Sequence, residues 1–228
     1  MSGERGRRIR SFVRRGARIT PAQQRGFDEG WARWGVDFTG EPVDLDALFE
    51  RPGARILEIG FGMGQSLLSM AQAQPQAGFV GVDVHRPGVG KLLRGIDERG
   101  LNNIRVLCHD AVEVLDQALA AQSLARVNIY FPDPWPKKRH HKRRLIQADF
   151  ARLVASRLAI GGLLHLATDW APYAEQMLEV LHACETLENC NGEGGYSPKP
   201  PERPLTKFEA RGRRLGHGVW DLLYRRVG

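Results

Sequence analysis

The chain has 228 residues, 42% of them hydrophobic and 26% charged, the balance of a globular protein with one sizeable core and not of a disordered tail or a membrane protein. No apolar run approaches membrane-spanning length, and the arginine-rich start MSGERGRRIRSFVRRGARIT lacks the apolar centre of a secretory signal and is too poor in serine for a good mitochondrial transit peptide. The net charge of +7 is segregated: segments 1–18, 137–144 and 203–226 hold 20 basic and 3 acidic residues, against 13 basic and 23 acidic elsewhere, which points to a polyanionic partner.

Residues 1–20 are expected to form a flexible basic arm ahead of a single domain over 21–228. From residue 55 onward short apolar runs alternate with stretches of helical period, the pattern of a parallel sheet covered by helices. The expected strands are 55–60, 79–84, 104–108, 126–131, 163–167 and, last, 219–226. Helices are expected over 65–74, 89–100, 111–121, 147–159 and 171–183, and the Gly- and Pro-rich stretch 191–204 reads as a long loop. Cys108, Cys184 and Cys190 show no C-x-x-C pairing, so neither a disulfide framework nor a zinc site is suggested and a reducing cytoplasm is expected. His85, His109, His165, His182 and His217 have no ligand spacing and are expected to be structural.

The first strand ends in Gly60-Phe61-Gly62-Met63-Gly64, where glycines let the backbone turn tightly and approach a ligand lying across the strand end. A dinucleotide fingerprint fails in register, because Gln65 or Leu67 occupies the third glycine slot. No Lys-Ser or Lys-Thr follows, so a phosphate loop is disfavoured as well. G-x-G-x-G after a strand containing an acid, here Glu58, is similar to the pattern of methyltransferases that bind S-adenosyl-L-methionine. Asp83 at the second strand end is placed to accept from ribose hydroxyls, and Asp110 after the third from an adenine amino group, although Asp110 reads equally as the cap of the helix that follows. Strand-end position brings Glu58, Asp83 and Asp110 to one crevice.

The fourth strand runs into Phe131-Pro132-Asp133-Pro134-Trp135-Pro136, two prolines stiffening the backbone around an acid, and then into the basic run 137–144. At this point the sequence resembles the bacterial tRNA (guanine-N7-)-methyltransferases. The resemblance rests on SFVRRGARIT (11–20), LEIGFGMG (57–64), GVDVHRPGVG (81–90), NIYFPDPWPKKRHHKRR (128–144), ATDW (167–170) and TKFEARGRRLGHGVWDLLYRR (206–226). It implies a Rossmann-like class I methyltransferase fold, α/β with a mostly parallel doubly wound sheet and helices on both faces. It implies S-adenosyl-L-methionine as methyl donor, no metal, tRNA as partner with no obligate protein partner, and the guanine at position 46, in the variable loop, as target. It further implies that Glu58, Gly60, Gly62, Gly64, Asp83, Asp110 and Asp133 line the cofactor site, with Asp133 catalytic. Lys137, Asp169, Thr206, Lys207, Phe208 and Glu209 would contact guanine, and Arg139, His140, His141, Lys142, Arg143 and Arg144 the RNA backbone. Asp83 departs from the family, where Glu is expected.

Guanine N7 carries a lone pair and no proton, so its methylation needs orientation and charge stabilisation, not a general base. Asp133 and Asp169 are the candidates to stabilise the developing purine cation, and Phe208 or Trp135 either stacks on an unpaired base or belongs to the core. Two other readings compete. Pro132-Asp133-Pro134-Trp135 is a poor variant of the N-P-P-aromatic motif of amino methyltransferases, with Pro132 where Asn or Asp is expected. An RNA-binding protein on an inactive methyltransferase scaffold is opposed by the intact glycines and carboxylates.

Overall fold

The computed structural model describes residues 11–12, 19–192, 194–205, 209 and 218–228. The elements run α1 (Pro21–Trp34), β1 (Arg55–Ile59), α2 (Gln65–Ala73), β2 (Gly78–Val82), α3 (Arg86–Glu98), β3 (Ile104–Leu107) and α4 (Ala111–Glu113). They continue through β4 (Leu124–Tyr130), a 3-10 helix (Lys138–Arg143), α5 (Ala148–Arg157), β5 (Leu158–Thr168), α6 (Ala171–His182), β6 (Leu187–Asn189) and β7 (Trp220–Arg226). The strands form one sheet in the order β3-β2-β1-β4-β5-β7-β6, parallel except for β7, which runs antiparallel to both of its neighbours. This is the expected doubly wound α/β architecture. Strand order reverses between β1 and β4, which opens a crevice at the carboxyl ends of the strands.

Both faces of the sheet are buried, and successive residues of a strand point to opposite faces. Leu57, Ile59, Val80 and Val82 pack with Phe150 and Val154 of α5 and Met177 and Leu181 of α6. Ile56 and Phe79 pack on the other face with Leu67 and Leu68 of α2 and Leu92 and Leu93 of α3. The central strands are accordingly apolar on both sides, as covered parallel strands must be.

Three elements lie outside the sequence-based expectation, one of them the 3-10 helix that the basic run forms. Helix α1 starts at a capping box in which Thr20 and Gln23 bond each other's backbone N–H, with Pro21 in the first turn. It lies against α3 at close range: Gly26 meets Gly90, and Gly30 meets Leu93. The third is β6, three residues on the sheet edge beside β7. Two expected helices are shorter than the periodicity suggests. The one expected over 111–121 is a single α turn followed by a π turn, Val114–Ala118, whose Leu115 and Asp116 carbonyls accept from Arg157. The one expected over 147–159 stops at Arg157 because Leu158 already pairs with Leu124 as β5 begins.

Candidate active site

Glu58 is the penultimate residue of β1 and is 1% exposed. Its Oε1 accepts from the Ser66 hydroxyl at the start of α2, while Oε2, equally buried, has no partner among the described residues. Burial pushes the carboxyl up to about 7; the Ser66 bond opposes this and the nearby Asp83 adds to it. A buried acceptor left without a donor is costly and marks a place where a ligand cation or N–H belongs.

The glycines of the turn divide their work. Gly60 and Gly62 have φ of 74° and 57°, and a Cβ on either would meet nothing within 4 Å, so the turn faces open space. At Gly64 a Cβ would stand 2.7 Å from Leu92 Cδ1, so this glycine allows α3 to pack close to the turn. Asp83 ties the turn to β2: one oxygen accepts from Gly62 N and the other from His85 N, both at 2.9 Å. Burial raises its pKa, with these backbone bonds opposing. Each oxygen keeps a second lone pair for a ligand hydroxyl. Asp110 is buried and caps α4, accepting from Val112 N at 3.0 Å, a role compatible with a further contact to adenine. The donor set and the open side of the turn fit an adenosyl ligand with a free ammonium group.

Beyond β4 the loop is strained at both ends: Phe131 and Trp135 have φ of 53° and 44°, a region aromatic residues rarely adopt. Strain of this kind costs about 1–3 kcal/mol per residue and persists only where the surroundings enforce it. Phe131 N donates to Ala167 O at 2.8 Å, and Trp135 Nε1 donates to Ser11 O at 3.1 Å. Arg144 does the rest. It is 3% exposed and donates to Pro134 O (2.9 Å), Pro172 O (3.3 Å) and Gln176 Oε1 (2.6 Å), clamping the loop to α6. Arg144, expected at an RNA backbone, thus lies inside the protein, with Nε and Nη1 bonded and Nη2 buried without a partner among the described residues.

Asp133 and Asp169 are exposed and follow β4 and β5 at the same edge of the sheet, and Lys137 is exposed just ahead of the 3-10 helix. In that helix Arg139 and Lys142 are exposed and His140, His141 and Arg143 half-buried. Lost solvation and the cations Arg139, Arg143, Lys137 and Lys142 push His140 below the usual imidazole range. Trp135 is flanked by Arg143, whose Cζ lies 5.2 Å from the ring centroid, and by the edge-on ring of His140. Thr206, Lys207 and Phe208 lie outside the described residues. Glu209, expected at the guanine, is buried, and both its oxygens accept from Arg203.

Sequence reasoning did not single out Ser66, Arg203 or Asp221. His165 Nε2 donates to Asp221 Oδ1 at 2.7 Å, and its Nδ1 accepts from Arg126 Nη2 at 2.9 Å, which keeps the ring neutral. Burial lowers the His165 pKa despite the Asp221 bond. The available signal was a histidine in LLHLA and an aspartate in VWDLLYRR, polar residues in strands apolar enough to be buried, each needing a partner.

Residues 53–222 match the model of a family described as "Putative methyltransferase". The chain is 54% identical over 221 residues to the tRNA (guanine-N(7)-)-methyltransferase of Aeromonas hydrophila, covering 97% of this chain and 93% of that one. The chain belongs to this family. The enzyme of the same name from Xanthomonas campestris is 57% identical over 224 residues, covering 98% and 86% of the two chains. Among solved structures, the antibiotic-resistance methyltransferase Kmr is similar with a TM-score of 0.55 at 17% identity, covering 85% of this chain and 95% of that one. TrmN from Thermus thermophilus has a TM-score of 0.53 at 19% identity, covering 80% and 48%. These two show the fold as that of class I methyltransferases. Among the described residues no helix is long and apolar enough to cross a membrane.

Proposed function

We propose that this member of the tRNA (guanine-N7-)-methyltransferase family methylates N7 of a variable-loop guanine, the guanine at position 46, and does so as a cytoplasmic enzyme without a metal or an obligate protein partner. The observation that carries the reading is one sheet edge holding an orphaned buried carboxylate beside an open glycine turn, two exposed aspartates, and a basic helix free of acids. S-adenosyl-L-methionine supplies a methyl group on a sulfonium sulfur, the electrophile that the N7 lone pair attacks. Glu58 Oε2 is the acceptor for the methionine ammonium, Asp83 for ribose hydroxyls and Asp110 for the adenine amino group, with Gly60 and Gly62 leaving room for the ligand. Asp133 completes this side of the site.

No residue has to take a proton from N7. Asp133 and Asp169 act by charge and by pose: positive charge grows on the purine as the methyl moves, and a fixed carboxylate that also accepts from guanine N1–H and N2–H₂ favours that state. Lys137 and the stretch 206–208 are the further contacts to the base. Arg139, Lys142, Arg143 and the two histidines meet phosphates, whose binding offsets the few kcal/mol needed to open the tRNA around its variable loop. The basic arm 1–20 adds seven arginines to the chain's positive charge, ahead of a single domain over 21–228.

The test is to incubate the protein with methyl-labelled S-adenosyl-L-methionine and two tRNA transcripts, one carrying adenine in place of the variable-loop guanine. We expect 7-methylguanosine, identified by mass, in the first alone. Equal labelling of both would sink the position assignment, and an absence of 7-methylguanosine in both would sink the activity.

A further inference from the structure

Arg203 is the largest fully buried side chain among the described residues, and it lies far from the glycine turn in sequence. Its guanidinium is shared by two carboxylates. Nε and Nη2 donate to Asp221 Oδ1 and Oδ2 at 2.7 and 2.9 Å, and Nη1 and Nη2 donate to Glu209 Oε2 and Oε1 at 2.6 and 3.2 Å. His165 Nε2 adds a fifth bond to Asp221 Oδ1. The flat face lies 5.9 Å from the Tyr130 ring centroid and 5.7 Å from that of Phe131.

A buried ionic cluster is a poor way to gain stability, since apolar residues of similar volume commonly do as well; what it supplies is a fixed geometry. The elements it joins are the informative part. Asp221 pairs with Ala167 across β7 and β5, and Ala167 O takes the Phe131 N–H that begins the strained loop bearing Asp133. Glu209 brings a further point of the chain to the same fork. The guanidinium thus joins Glu209 to the strand-end row that carries the loop.

We propose that Arg203 is a positioning residue for the methyl transfer: its fork ties Glu209 to Asp221 beside the carboxyl ends of β4 and β5 and, through the pairing of Asp221 with Ala167, braces the loop that carries Asp133. The assignment rests on the transfer reading above, in which Asp133 faces the reacting base. Arg203 itself touches no substrate. Its effect is on pose, and a misplacement of about 1 Å costs on the order of a hundredfold in rate.

The experiment compares wild type with Arg203→Lys and Glu209→Gln. Lysine keeps the charge but cannot fork to two carboxylates, and glutamine keeps the shape while losing one acceptor. For each we would measure S-adenosyl-L-methionine Kd by titration, the melting temperature, and kcat and KM for tRNA below the melting transition. We expect kcat to fall roughly 10- to 100-fold in Arg203→Lys and less in Glu209→Gln, with KM for tRNA and cofactor Kd within about twofold of wild type. Should Arg203→Lys fail to fold, Glu209→Gln carries the same comparison. Folded variants with wild-type kcat would overturn the assignment, as would a loss of kcat matched by an equal loss of cofactor affinity, which marks a general structural role. A wild-type protein that leaves tRNA unlabelled overturns the transfer reading itself, and is told apart because it needs no variant.

Discussion

Glu58 and Asp133 are both acids at strand ends, yet their surroundings set them different tasks. Glu58 is buried with one oxygen orphaned and its pKa at about 7, far above the 4.5 of a free glutamate. Between those values the native state holds more protons than the unfolded chain, so this group's stabilisation is fully present below pH 4.5 and is lost as pH rises through about 7. The loss amounts to on the order of 3 kcal/mol. We expect ligand-free wild type to lose stability over that range relative to Glu58→Gln, which keeps the acceptor for Ser66 but cannot ionise. Denaturation at intervals from pH 4.5 to 8 checks this; parallel curves for the two proteins would contradict it. Asp133 is exposed, and the role proposed for it is electrostatic. Asp133→Asn keeps the size, removes the charge and turns a donor toward guanine N1–H. Single-turnover transfer at saturating cofactor and tRNA should slow by about 2–4 kcal/mol of transition-state stabilisation, with no rise in wild-type rate attributable to a base titrating near neutrality. A near-wild-type rate would reduce Asp133 to a loop residue.

At the scale of elements, the contact between α1 and α3 depends on missing side chains. A Cβ on Gly90 would sit 2.0 Å from Gln23 O and 2.9 Å from Gln23 C, both backbone atoms of α1 that cannot swing aside. Alanine would add up to about 1 kcal/mol of helix propensity, but overpacking of this kind costs about 1–3 kcal/mol. We expect Gly90→Ala to be destabilised by about 1–2 kcal/mol, read as a lower urea midpoint with an unchanged slope; an equal or higher midpoint would mean that α1 shifts without cost. The strained loop after β4 shows the same dependence on neighbours. Prolines 132 and 134 limit what its backbone can do, but Arg144 reaching Pro134, Pro172 and Gln176 decides where it sits.

Over the whole molecule, charge segregation survives folding in reduced form. Arg144 and Arg203 are buried and bonded internally, whereas Arg139 and Lys142 remain exposed. Reversing the last two to glutamate should weaken tRNA binding and lower the salt dependence by roughly 1.5 in log–log slope, since each phosphate contact contributes about 0.7–0.9, while cofactor affinity stays near wild type. Equal slopes would show that this helix does not touch RNA. The doubly wound sheet, the glycine turn and the strand-end acids were all legible in the chain, because strand alternation, breaker residues and strand-end placement are local patterns set by backbone geometry. So was the family, through motifs spread from residue 11 to residue 226. Helix α1 went unread although Thr20-Pro21-x-Gln23 is a local start signal, and what holds it is the gap between Gly26 and Gly90, which lie 64 positions apart. The chain likewise presented Arg144 as one more cation in a basic run and Glu209 as one of the residues expected at the guanine. Only the tertiary structure separated buried from exposed charge, because burial and pairing depend on groups distant in sequence: Arg144 on α6, Glu209 on Arg203, and Arg203 on an aspartate of the last strand.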